Sequence, residues 1–156
     1  MFGLPAFLFA LALCPALFDQ TPAAAKPRRP QQPKIALQIL PLMREYRGVR
    51  LGMNRDAVKA AMGETTRAGM GWDEFKLGGS DLMTVRYDDK SAVKTIQLYF
   101  TNPDRAQKWT EVVGNAEIQE KPTGSKYARA VNKEDNFWVA MFQSNTGAVT
   151  TVTLSR

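Results

Sequence analysis

Three adjacent pairs of acidic residues come closest to a spacing that could do acid–base chemistry in this sequence. They are Asp73-Glu74, Asp88-Asp89 and Glu134-Asp135. Glycosidases use two carboxylates that flank one bond, so these pairs keep a carboxylate-dependent hydrolase open as an alternative. Neighbouring residues on a strand point to opposite faces of the sheet, however, and do not flank one bond. The pairs are therefore weak evidence for catalysis.

The chain has no histidine, and its single cysteine, Cys14, lies in an apolar N-terminal stretch. Most nucleophilic catalysis and most transition-metal sites need histidine or cysteine. The Asp88-Asp89 pair also lacks the glycine and the distal glutamate that complete a Ca²⁺ loop. We therefore expect a non-enzymatic protein that carries no metal and no cofactor.

Residues 1–25 have the pattern of a signal peptide. The stretch Leu4–Phe18 is mostly apolar, but as a helix it would cover only about 22 Å of the ~30 Å hydrocarbon core. Ala23-Ala24-Ala25 then offers small residues for cleavage. An uncleaved anchor is one alternative. A lipidated Cys14 is another, although Leu13 stands where a lipoprotein signal has a small residue. We expect export to the periplasm or the extracellular space.

The positive charge of the chain is concentrated before the folded domain. The whole sequence has 21 basic and 15 acidic side chains, and residues 26–50 contribute seven of the basic ones and a single acid. Residues 26–34 contain three prolines and no apolar side chain, so we expect an extended linker. Its cations form a candidate arm for an anionic membrane surface, and they are Lys26, Arg28, Arg29 and Lys34. No RNA-recognition motif is present, and we expect no nucleic-acid partner.

Residues 35–156 have the pattern of a single α+β domain. Asn54 can cap a helix over residues 55–62, and Gly63 supplies the positive φ that ends it. A second helix is expected from Pro103 to Gly114, because proline suits the first helical position and Trp109, Val112 and Val113 form an apolar stripe.

Alternation of side chains predicts the strands. They are expected over residues 73–77, 81–87, 92–101, 116–120, 126–131, 137–143 and 148–154. The polar turn 88–91 joins one hairpin, and Gly147 provides the loop glycine of the last one. The order resembles one unit, a capped helix followed by strands that close in a hairpin, used twice. We expect an antiparallel sheet with the helices packed on one face.

The run Val49–Gly63, VRLGMNRDAVKAAMG, resembles the helix-start motif of the BamE (SmpA/OmlA) family of small exported bacterial envelope proteins. In that motif an apolar-Gly-Met-polar step leads into a capped helix that ends in glycine. The layout is also similar to that of the β-lactamase inhibitor protein, which doubles the unit and has disulfides that this chain lacks. The resemblance implies a fold, and no binding residue can be transferred with it because the matching residues are all structural.

We therefore expect an exported binding or scaffolding module of the bacterial envelope, whose partner is another envelope protein or a lipid. The resemblance implies binding through the exposed face of the sheet. The candidate residues are strand aromatics, namely Tyr87, Tyr99, Tyr127, Phe137 and Trp138. A carrier of a small ligand or lipid, with an apolar groove between sheet and helices, is the first alternative, and the hydrolase is the second.

Overall fold

An eight-stranded antiparallel sheet organises residues 40–156, the part of the chain that the computed structural model describes. The predicted signal peptide, the predicted linker with its basic arm, and Cys14 lie outside the described residues. The strands are β1 (Glu45–Tyr46), β2 (Val49–Arg50), β3 (Arg67–Gly69), β4 (Trp72–Gly78), β5 (Asp81–Tyr87), β6 (Val93–Phe100), β7 (Gln119–Glu120), β8 (Lys126–Asn132), β9 (Phe137–Gln143) and β10 (Thr150–Ser155). The helical segments are α1 (Arg55–Met62), a 3₁₀ turn at Pro103–Arg105 and α2 (Trp109–Val113).

The strand order in the large sheet is β3-β4-β5-β6-β10-β9-β8-β7. Each half is therefore a meander of four consecutive strands, and a helix precedes each meander in the chain. The halves meet where β6 pairs with β10, with Leu98 opposite Val152 and Ile96 opposite Leu154. β1 and β2 form a separate two-stranded hairpin.

The fold is mainly β, so the expectation of an α+β domain is wrong. Strands account for 45% of the described residues and helices for 14%. The predicted helix over residues 55–62 is confirmed: the Asn54 side chain accepts from the backbone N–H groups of Asp56 and Ala57 at 2.8 and 3.0 Å. Gly63 ends it with a φ of +82°. The predicted fold class is wrong because the second helix is much shorter than expected.

The segment after β6 does not form one continuous helix. Asn102 caps only the 3₁₀ turn at Pro103–Arg105. Ala106 is then extended, with φ −70° and ψ 145°. α2 has its own start, where the Glu111 carboxylate accepts from the Lys108 N–H at 3.2 Å. Two competing helix starts thus divide the segment into pieces of three and five residues.

One face of the sheet forms the core with the helices. α1 contributes Val58 and α2 contributes Val112 and Val113, all buried. They pack with inward residues that recur at every second position of the strands. These inward residues are Phe75, Met83, Val85, Ile96, Leu98, Phe100, Val139, Met141, Val152 and Leu154.

A partly buried ion pair ties the start of α1 to the sheet. Arg55, the first residue of α1, donates to both oxygens of Asp73 on β4, at 2.9 Å from Nε and 2.5 Å from Nη2. The Tyr87 hydroxyl on β5 donates to the same carboxylate at 2.9 Å. Arg55 Nη2 also donates to the carbonyls of Gly69 and Trp72 at 3.2 and 3.3 Å. One guanidinium therefore links the helix, the β3–β4 turn and the sheet.

This network keeps a carboxylate ionised inside the protein. Asp73 is fully buried, and burial alone would raise its pKa. The hydrogen bonds from Arg55 and then Tyr87 outweigh burial and lower the pKa of Asp73 below its usual value. Burial and then the hydrogen bond to Asp73 raise the pKa of Tyr87 well above the usual value. Its hydroxyl therefore stays protonated and serves as a donor.

Replacing Asp73 with asparagine should destabilise the fold, because Arg55 then loses its counter-charge. We expect Asp73→Asn to lower the free energy of unfolding by about 2 kcal/mol, the usual contribution of hydrogen bonds to a charged group, because the partly exposed Arg55 keeps some contact with water. Urea unfolding followed by tryptophan fluorescence measures it. The matched control is Asp89→Asn in the exposed β5–β6 turn, expected to change stability by less than ~0.5 kcal/mol.

The same variant should have a distinct pH profile. Because the folded pKa of Asp73 is lowered, its stabilisation is complete above the unfolded value of about 4 and is lost as the pH falls through the folded value. The loss of stability below about pH 4 should thus be smaller in Asp73→Asn than in the wild type. Parallel curves for the two proteins would contradict this role of Asp73.

Candidate binding face of the sheet

The second face of the sheet is the candidate functional surface. Its residues alternate with the core residues along six strands, and none of them belongs to the buried core cluster. We call this surface the open face. It comprises Trp72, Glu74 and Lys76 on β4; Leu82, Thr84 and Arg86 on β5; Thr95, Gln97 and Tyr99 on β6; Thr151, Thr153 and Ser155 on β10; Trp138, Ala140 and Phe142 on β9; and Tyr127, Arg129 and Val131 on β8.

An aromatic row crosses the open face near one end of the strands. The register places Leu82 opposite Tyr99, Tyr99 opposite Thr151, Thr151 opposite Phe142, and Phe142 opposite Tyr127. Directly opposite side chains share one face. At about 4.8 Å per strand, the row from β6 to β8 spans about 14 Å. Three aromatic rings therefore lie within the reach of one binding partner.

A second row combines tryptophan with arginine. Ser155 lies opposite Trp138, which lies opposite Val131. The Arg129 guanidinium lies 4.5 Å from the centre of the Trp138 ring, a cation–π contact that holds both side chains in place. Val131 is 58% exposed. Arg86 on β5 and Trp72 on β4 lie at the other end of this row. This part of the open face therefore places an apolar ring and a cation side by side.

The row between these two is made of smaller, mostly polar residues. Thr84, Gln97, Thr153 and Ala140 follow one another across the central strands, and Glu74 and Arg129 stand at the two ends of this row. The short side chains of the central residues leave a shallow strip between the aromatic row and the tryptophan row. Hydroxyl and amide groups can both donate and accept hydrogen bonds there.

The open face carries more positive than negative charge. Its cations are Lys76, Arg86 and Arg129, and its one acid is Glu74. Arg67 of the adjoining strand β3 lies opposite Glu74, with 4.0 Å between Nε and Oε1. With Arg67 included, the charge of the surface is four minus one, or +3. Residues 40–156 hold 17 basic and 14 acidic side chains, also +3. The rest of the described residues are therefore neutral on balance.

Three of the five predicted binding aromatics lie on the open face: Tyr99, Tyr127 and Trp138. Tyr87 and Phe137 lie on the opposite face and are only 8% and 7% exposed. A carboxylate of the core already binds the Tyr87 hydroxyl. The prediction for these two residues is corrected accordingly: the structure separates them from this surface.

Four further residues of the open face were not among the candidates from the sequence, namely Phe142, Leu82, Trp72 and Arg129. On β9 both alternating sets are apolar, since Phe137, Val139 and Met141 face inward and Trp138, Ala140 and Phe142 face outward. The alternation within β9 therefore carries no information about which set is buried. The one available signal was Arg129 on β8, whose charge marks the outward set of the neighbouring strand.

Two of the three acidic pairs contain a carboxylate with a structural role. Asp73 is buried in the core, whereas its neighbour Glu74 points to the open face. The Asp88 carboxylate accepts the backbone N–H groups of Lys90 and Ala92 at 3.0 and 2.9 Å, which fixes the β5–β6 turn. Among residues 40–156 there is no group of three acidic, histidine or cysteine side chains able to hold a metal.

Asp81 is a second buried carboxylate, and its hydrogen bonds connect the start of β5 to Thr101. It accepts from the Thr101 N–H at 2.8 Å and from the Thr101 hydroxyl at 3.0 Å. Burial alone would raise the pKa of Asp81, but these two bonds and the nearby Arg105 guanidinium lower it. An ionised, hydrogen-bonded carboxylate of this kind is poorly suited to donate a proton.

An apolar groove lies between α2 and β8, the strand next to the edge strand β7. Its volume is about 590 Å³. The apolar residues that line it are Leu40, Pro41, Leu42, Val113, Ala116, Ala130 and Val131, and its polar lining is Arg44, Asn115, Asn132, Lys133 and Glu134. Val131 belongs to both the groove and the open face, so the two surfaces adjoin.

No protein-family model, curated protein or solved structure matches this chain. The resemblance to the BamE family therefore stays a prediction. Within the described residues, no helix has both the length and the apolar character needed to cross a bilayer.

Two neighbouring aromatics on β6 should differ sharply in their contribution to stability. Phe100 is 1% exposed and Tyr99 is 39% exposed. We expect Phe100→Ala to lower the free energy of unfolding by about 3–5 kcal/mol, and Tyr99→Ala by less than about 1 kcal/mol. Urea unfolding of both variants measures the difference. A loss at Tyr99 as large as that at Phe100 would mean that the open face is part of a core.

Proposed function

We propose that this protein is an exported, non-enzymatic binding module of the bacterial envelope that holds another envelope protein on its open face. The observation that carries the proposal is a set of aromatic and arginine side chains that lies outside the core on an ordered sheet. Tyrosine, tryptophan and arginine are the residue types that dominate binding energy in protein interfaces.

The size of the open face suits such an interface. Six strands at about 4.8 Å and five residues at about 3.4 Å give about 29 by 17 Å, or about 500 Å² in projection. Protruding rings raise the accessible area above the projected one. A standard interface covers about 800 Å² on each partner. A partner that also touches the adjoining loops would reach that area.

The rigidity of the surface also favours binding. Strand residues lose little further backbone freedom when a partner docks, and the Arg129–Trp138 contact already fixes two long side chains. Export is supported by the apolar stretch and the alanines of residues 1–25. Placement in the envelope is supported by the resemblance of Val49–Gly63 to the BamE motif.

Site-specific photocrosslinking in living cells tests the proposal. The photoreactive residue p-benzoylphenylalanine replaces Gln97, an exposed residue in the middle of the open face. The matched control carries it at Ala60, an exposed position of α1. We expect one discrete crosslinked protein from position 97 and none from position 60. The same product from both positions, or no product from either, would overturn the proposal.

The apolar groove supports a second candidate function, a carrier of a small ligand or lipid. Its volume of about 590 Å³ is within the common range for ligand pockets. Native mass spectrometry of the purified full chain tests this candidate. A carrier should retain a lipid-sized adduct that Val131→Asp removes and Tyr99→Ala keeps. A protein without any adduct would count against this function and leave the first one untouched.

A further inference from the structure

We infer that the partner held by the open face presents an acidic protein surface, with Asp and Glu side chains placed around a polar and apolar centre. This inference rests on the proposed function and adds the chemistry of the partner. Its basis is the state of the cations on the open face.

The net charge of the described residues lies on this surface, because the open face with Arg67 carries +3 and the other residues of 40–156 are neutral on balance. Four of the six arginines elsewhere in the described residues form an ion pair with an aspartate, at N–O distances between 2.5 and 3.5 Å, namely Arg44, Arg55, Arg105 and Arg156. The open-face cations Lys76, Arg86 and Arg129 form none among the described residues. Three charges without counter-charges on one surface favour a partner that supplies carboxylates.

The positions of these cations define what the partner must offer. Lys76 and Arg86 lie on β4 and β5, and Arg129 lies on β8, four strands away from β5. That separation is about 19 Å at 4.8 Å per strand. Between them lie the hydroxyl, amide and aromatic side chains of the central strands. This is the usual anatomy of a protein interface, with a mostly neutral centre and charged groups at the rim.

The same cations suit a membrane less well. Surfaces that bind anionic lipids combine clustered basic residues with apolar side chains that enter the acyl boundary. Here the centre of the surface carries Thr84, Gln97 and Thr153, and polar groups of this kind lose hydrogen bonds when they are pressed onto lipid. A protein surface supplies both the hydrogen-bond partners and the carboxylates.

The test uses poly-L-glutamate as a probe of acidic polypeptide and vesicles with anionic phosphatidylglycerol as a probe of membrane. Binding to the purified full chain is measured by calorimetry or sedimentation at low salt. We expect poly-L-glutamate to bind and to shift the NMR signal of the Trp138 indole N–H. Arg86→Gln/Arg129→Gln should raise the dissociation constant at least tenfold.

Two double variants with the same loss of charge are the controls. Lys90→Gln/Lys121→Gln removes two exposed cations from loops, and Arg28→Gln/Arg29→Gln removes two from the predicted arm. Each should change the dissociation constant less than twofold. Binding that depends on either pair and not on Arg86 and Arg129 would overturn the inference. So would retention of vesicles through Arg86 and Arg129 without poly-L-glutamate binding, or the failure of both probes.

The crosslink from position 97 separates this inference from the proposed function. In the Arg86→Gln/Arg129→Gln background the yield of that crosslink should fall at least fivefold. An unchanged yield would reject the acidic partner and keep the open face as a binding surface. The absence of any crosslink in the otherwise wild-type protein would reject the proposed function itself.

Discussion

The alternation of side chains along antiparallel strands is the constraint on which the rest of this structure depends. Every residue turned into the core turns its neighbours outward. α1 and α2 together contain 13 residues, eight and five, which is too few to cover both faces of an eight-stranded sheet. The open face is therefore a consequence of the helix lengths. The aromatic side chains of the open face point outward because their strand neighbours Val139, Met141 and Leu98 fill the core.

The Arg55–Asp73–Tyr87 network helps to fix the register of the strands in this arrangement. A two-sided apolar strand such as β9 could shift by one residue at modest cost, because both of its faces can be buried. β4 cannot do so, since a one-residue shift would expose Asp73 and leave Arg55 without its partner. Asp81 acts similarly at the other end of the same hairpin through Thr101. Buried carboxylates thus fix the register of the β4–β5 half, and the registers of the open face follow from it.

The sequence predicted local structure where a local signal decided it. Asn54 and Gly63 mark the two ends of α1, and Asp88 with its neighbours forms the turn of the β5–β6 hairpin. The predicted ends of the helix and of the two strands were therefore confirmed to within a residue or two. The second helix failed because Asn102 and Lys108–Glu111 each start a turn, and only the surrounding packing decides between one helix and two. The residues of the open face were predicted in part. The alternation within β6 is enough to place the Tyr99 side chain outward. Whether Tyr87, Phe137 and Phe142 are buried depends on which face of the sheet the helices cover, and no local pattern carries that information.

The distribution of charge assigns separate tasks to different parts of the surface. Excess charge on one face raises the rate of encounter with an oppositely charged partner, and it does so most strongly at low ionic strength. Aromatic rings act after contact, because their burial slows dissociation. On this chain the rings lie between the cations, with Tyr99, Phe142 and Trp138 inside the span from Arg86 to Arg129. Under the proposed function, a partner attracted by the cations at the rim would therefore arrive with its own centre already above the rings.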